Sequence, residues 1–94
     1  MTQAESRVAK RLRVLKTGKI IVNKSLAVVD CTVRDLSDTG AKLVCAKSGE
    51  VPDEFRIVLI QDNTIRDAVV MWRKGEQLGI KFTSEAARAP PRKY

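Results

Sequence analysis

The sequence contains no histidine. That absence excludes Ser-His-Asp triads, HExxH metalloprotease sites and imidazole general bases together. Two cysteines, Cys31 and Cys45, are too few to supply a four-ligand structural zinc site. Aromatics are scarce: Phe55, Trp72, Phe82 and Tyr94 are the whole set, and the first three fall in apolar runs that read as core. A platform for single-stranded nucleic acid wants exposed rings on which bases stack, so that alternative is disfavoured. No apolar run approaches the ~18 residues of a membrane-spanning helix, and the first fifteen residues hold no apolar leader segment. A cytoplasmic location, with both thiols reduced, is the expectation. At 94 residues the chain makes one domain, and a domain this small leaves roughly a third of its unfolded surface exposed. Little remains for a deep catalytic pocket. There are no paired carboxylates on an acid/base scaffold and no Gly-rich nucleotide loop. The composition points to a binding module rather than an enzyme, with no metal and no cofactor.

What is abundant is positive charge, +7 overall, and its distribution matters more than its sum. Residues 1–24 carry seven basic side chains against Glu5 alone, residues 25–87 carry eight basic and ten acidic ones, and Arg88, Arg92 and Lys93 are basic again. The body is therefore mildly acidic and carries basic ends. A long polyanion would call for a broad basic face. A basic arm suits a compact anionic ligand.

The middle of the chain consists of short β-type runs separated by turn formers. Arg13–Val22 precedes Asn23-Lys24-Ser25, and Leu26–Arg34 alternates through Ala27, Val29, Cys31 and Val33. Asp35-Leu36-Ser37-Asp38-Thr39-Gly40 is dense in turn residues. Ala41–Ala46, Phe55–Ile60, Ile65–Arg73 and Leu78–Phe82 complete about six strands at roughly ten-residue spacing. Phe55–Ile60 and Val69–Trp72 are apolar on both faces, which calls for a closed barrel with a terminal segment packed on its outside. Thr83 or Ser84 could cap a short helix over Glu85–Arg88, ended by Pro90. The expected organisation is a flexible arm over residues 1–12, a barrel over 13–83, and a short helix with a disordered basic tail over 84–94. If the turn sets Asp35 opposite Ala41, Cys31 falls opposite Cys45, and both read as small apolar core residues. Trp72 reads as core or barrel-edge packing.

Two elements carry a resemblance. Arg7-Val8-Ala9-Lys10-Arg11 is an R-x-x-x-R, and Asp35-Leu36-Ser37-Asp38-Thr39-Gly40 is a D-x-S-x-x-G twenty-three residues later. In this order, with Val69-Val70-Met71-Trp72-Arg73 and Leu78-Gly79-Ile80-Lys81-Phe82 closing the chain, they resemble the PilZ domain family over about residues 5–83. The resemblance implies an all-β fold, a six-stranded antiparallel barrel with a C-terminal helix. It also implies a receptor for the bacterial second messenger cyclic di-GMP. Arg7 and Arg11 would be the arm arginines and Asp35, Ser37 and Gly40 the turn residues, with Lys10 and Arg73 as possible additional contacts. The partners implied are cyclic di-GMP and an unidentified downstream protein, with motility, biofilm or polysaccharide production as output. A PilZ-type interaction module that does not use the nucleotide is the alternative within the family. Many members carry a further arginine where this chain has Ser6. Arginine there accompanies a stacked ligand pair, so one or two ligands per site are both open.

The chemistry of these residues suits that ligand. Arginine offers a planar fork that matches phosphate or guanine O6/N7 and can lie flat on a base, which lysine cannot do. An aspartate accepts from the N–H donors of guanine's Watson–Crick edge and faces the wrong pattern on adenine. A serine hydroxyl makes a short polar contact or holds the turn. Glycine permits a positive φ or a close approach.

Overall fold

Apolar side chains recur at every second residue because successive strand residues point to opposite faces, and here one face of each strand closes around a single core. In the computed structural model, which describes residues 12–22 and 27–90, the strands are β1 (Leu12–Val22), β2 (Ala27–Leu36), β3 (Gly40–Val44), β4 (Glu54–Leu59), β5 (Thr64–Lys74), β6 (Gln77–Phe82) and β7 (Ala87–Arg88), with one 3-10 turn at Ser48–Glu50. All pairings are antiparallel. The first six run β4-β1-β2-β3-β6-β5, and β4 pairs with β5 to close the barrel. Closure leaves these strands no free long edge. The interior is filled from every strand: Ile20 and Val22, Val29 and Val33, Ala41 and Leu43, Phe55, Ile57 and Leu59, Ala68, then Leu78, Ile80 and Phe82.

Two loops show why the strands reverse where they do. Lys74 pairs with Gln77 across a two-residue hairpin whose first residue, Gly75, has φ 58°, a conformation that glycine adopts without Cβ strain. The β4–β5 connection ends on Asn63 at φ 55°, where a short polar side chain is tolerated.

A second, smaller cluster lies outside the barrel. Ile21 and Val58, on the outer faces of β1 and β4, pack with Ala89 and with the partly buried Ile60 and Ile65. The two-faced apolar character of β4 is thus answered by a C-terminal segment packed on the outer wall.

That segment is not helical, which corrects the expectation of a helix over Glu85–Arg88. The Ser84 hydroxyl accepts from the Asp67 amide at 2.8 Å, so it joins the chain to β5 instead of capping a helix. Four residues make barely one helical turn, too short to offset nucleation, and Pro90 biases Ala89 towards extended backbone. The alternative is a vacant stretch of strand edge. β5 meets β6 only from Ala68 onward, so Thr64 and Ile65 pair with Arg88 and Ala87 of β7. The sequence-based arm falls mostly in residues 1–11 and the tail in 91–94, both outside the described residues, and Leu12 already belongs to β1. No helix among the described residues is long and apolar enough to cross a membrane.

Cys31 and Cys45 are free, buried thiols. β2 and β3 pair as far as Thr32 with Val44, so the next rung in the same register sets Cys31 against Cys45. The Cys45 thiol donates to the Asp30 carbonyl at 3.4 Å. Burial, reinforced by Cys45 and Asp30 and opposed by Lys19, pushes the Cys31 thiol from its ordinary 9.0 up to about 12. The folded state therefore holds this proton after the unfolded chain has lost it. Stability that is intact below pH ~8.5 is expected to fall as pH rises from there towards 12. Near neutral pH both thiols are expected to resist a disulfide reagent in the folded protein and to react fully in denaturant, as absorbance of the released thiol will show. Rapid labelling without denaturant would contradict this burial.

Candidate functional site

The site begins with three interruptions of strand register at one end of the barrel. The shifts lie between Arg13 and Lys16 in β1, between Val33 and Asp35 in β2, and between Val70 and Trp72 in β5. A bulge adds a residue to one strand and turns the residues beyond it to the other face. In β2 the extra residue is Arg34. Without it Asp35 would oppose Ala41 and point into the apolar barrel. With it Asp35 pairs with Lys42 and Leu36 pairs with Ala41. This corrects the expected Asp35–Ala41 register by one residue, and the cause is plain: a carboxylate buried without a partner is expensive.

The β5 bulge does the same for Trp72. Val70 pairs with Ile80 and Trp72 with Gly79, leaving Met71 as the extra residue. The outward indole covers Gly79 so closely that a Cβ there would collide with indole Nε1 and Cε2. Trp72 remains 41% exposed, so of the two expectations, core or barrel-edge packing, the structure shows packing at the barrel's outer edge. The outcome is one rung across five strands: Trp72, Gly79, Lys42, Asp35 and Arg13 are successive partners on β5, β6, β3, β2 and β1. Directly opposed residues share a face.

On this rung Lys42 Nζ stands 3.6 Å from Asp35 Oδ2. Arg13, Arg34, Asp35, Lys42 and Gln77 border an open groove of about 420 Å³, within the ~300–1,000 Å³ usual for small-molecule sites. Three of these five side chains are cationic, which favours an anion.

Beside the groove lies the turn Ser37–Gly40. The Ser37 hydroxyl accepts from the amides of Thr39 and Gly40, each at 3.2 Å, and the Ser37 amide donates to the Gly40 carbonyl at 2.9 Å. Ser37 thus holds the turn, the second of the two roles open to it. The Phe82 amide donates to the Thr39 carbonyl at 2.9 Å, and Arg66 donates to the Asp38 carbonyl at 3.2 Å. Gly40 does not use a positive φ, since Gly75 alone among the described glycines does so. It is needed because a Cβ would collide with the Ile80 carbonyl oxygen of β6.

Asp35, Ser37 and Gly40 are therefore brought together at one barrel end. Arg73 donates to the carbonyls of Ser48 and Val51 and to the Asp53 carboxylate at 2.8–3.2 Å, tying the 3-10 turn to β5. Arg7, Lys10 and Arg11 lie outside the described residues. Arg11 immediately precedes Leu12, which pairs with Leu36 next to the Asp35 rung. Sequence reasoning passes over Arg13, Arg34 and Lys42. Strand alternation about Ala41 and Leu43 places Lys42 outward, but no pattern announces the bulges that align it with Asp35. Among the described residues no group of three acidic or cysteine side chains is placed to hold a metal ion.

Fold and site together define a small closed antiparallel barrel with a polar groove on its outer wall, bordered by a pinned serine-glycine turn. The chain belongs to the PilZ domain family, whose model matches residues 5–90. A search among curated proteins returned no match.

Proposed function

We propose that this protein is a cyclic di-GMP receptor that passes the signal to a partner protein, acting by binding and not by catalysis. The observation that carries the reading is the bulge that turns Asp35 out of the barrel and into a cationic groove beside the Ser37–Gly40 turn. An acceptor aimed at guanine N–H donors, flanked by cations for two phosphodiesters, matches that ligand's chemistry. In this reading Arg7 and Arg11 grip phosphate or guanine, Asp35 reads the base edge, and Ser37 and Gly40 fix the geometry. On the same reading the arm ahead of β1 closes over the ligand, and the covered surface is what the partner recognises. Motility, biofilm formation and polysaccharide production are the outputs to examine.

Titration calorimetry with cyclic di-GMP is the direct test. Saturable binding with a Kd on the order of micromolar or tighter is expected. No heat with protein and ligand at tens of micromolar would overturn the receptor reading.

A further inference from the structure

Lys42 and Asp35 occupy directly paired positions on β3 and β2. Their nitrogen and oxygen stand 3.6 Å apart, longer than the ~2.7–2.9 Å of a direct charge-assisted hydrogen bond. The Asp35 side chain is the more withdrawn, 18% exposed against 34% for Lys42, and both face the same groove. Donor and acceptor are thus presented next to each other on the wall of one open groove.

We propose that Lys42 is a specificity-determining residue whose ammonium donates to guanine O6 while Asp35 accepts from N1–H and the exocyclic amine of the same base. This rests on the cyclic di-GMP reading. Guanine's Watson–Crick edge offers an acceptor beside two donors, the complement of a lysine beside an aspartate. Adenine inverts the pattern, presenting an amine donor to the ammonium and a ring-nitrogen lone pair to the carboxylate. The pair therefore selects guanine twice, by attraction and by mismatch. Arg13 and Arg34 border the same groove and supply cations for phosphate. Lys42 is the cation placed beside the group that reads the base.

The test uses the full chain and three proteins: wild type, Lys42→Met, which keeps the apolar stem, and Lys42→Arg, which keeps donors. Each is titrated with cyclic di-GMP and with cyclic di-AMP, by calorimetry and Trp72 fluorescence for tight complexes and by NMR shifts for weak ones. Lys42→Met is expected to weaken cyclic di-GMP binding at least about tenfold, the scale of one lost base contact, while changing cyclic di-AMP binding less than about threefold. Lys42→Arg is expected to retain most of the preference. The melting temperature of all three should agree, because Lys42 is on the surface. If Lys42→Met binds cyclic di-GMP like wild type, or loses both ligands equally, the assignment of Lys42 to the base is wrong and the receptor reading stands. If wild type binds no cyclic di-GMP, the receptor reading fails and this assignment with it.

Discussion

The double variant Arg7→Ala/Arg11→Ala is expected to bind cyclic di-GMP about 10²- to 10⁴-fold more weakly than wild type. Each guanidinium in the proposed site makes a charge-assisted contact worth about 1.5–3 kcal/mol, and two such losses combine to that range at 1.4 kcal/mol per decade. Since the proposed site has both arginines on one small ligand, the losses need not add, and each single variant should already show about tenfold or more. Arg→Lys at either position should behave like Ala, since the ammonium cannot form the planar fork or stack on a base. Calorimetry with circular dichroism on the same samples separates affinity from folding. Binding within threefold of wild type by the double variant would remove Arg7 and Arg11 from the site.

Gly40→Ala is expected to produce the largest loss of stability for one added methyl group. The new Cβ would collide with the Ile80 carbonyl oxygen. That atom belongs to the backbone of β6, and β3 and β6 are paired through Gly40 and Lys81 at this point. No side chain can step aside, so the strands must part. A cost of about 1–3 kcal/mol or more is typical of overpacking that forces the backbone to shift, a large share of the ~5–10 kcal/mol that holds a small domain together. At about 4–8 °C per kcal/mol, the melting temperature should fall by roughly 4–24 °C. Gly49→Ala is the matched control, because a Cβ there meets nothing within 4 Å. A Gly40→Ala protein that melts within a few degrees of wild type would show that the β3–β6 contact yields more readily than its geometry implies.

Much of this architecture can be read from the chain. Alternation in β2 through Val29, Cys31 and Val33, and the two-faced apolar run Phe55–Ile60, are enough to call for a closed barrel with something covering its outside. The form of the cover is not legible there. Ser84 and Pro90 look like helix boundaries by local rules, but a vacant β5 edge at Thr64–Ile65 offers ladder bonds that four residues of helix cannot match. The site divides the same way. Asp35, Ser37 and Gly40 are visible because turn chemistry is local, whereas Lys42, Arg13 and the outward Trp72 depend on bulges. A bulge is decided by which side chain the barrel will accept, a property of the closed sheet and not of any short window. Trp72 sits in the run Val69–Trp72, and only the extra residue at Met71 sends its indole outward over Gly79.

Arg66 ties together segments that are distant in sequence. Its Nε donates to the Ser84 carbonyl at 3.0 Å, another guanidinium nitrogen donates to the Asp38 carbonyl at 3.2 Å, and the group lies 4.0 Å above the Phe82 ring. The planar guanidinium thereby touches the Ser37–Gly40 turn through the Asp38 carbonyl, the start of the C-terminal segment through the Ser84 carbonyl, and the Phe82 ring. One side chain thus joins the Ser37–Gly40 turn, the root of the C-terminal strand β7 and the Phe82 ring, so replacing Arg66 removes three contacts between separate segments at once.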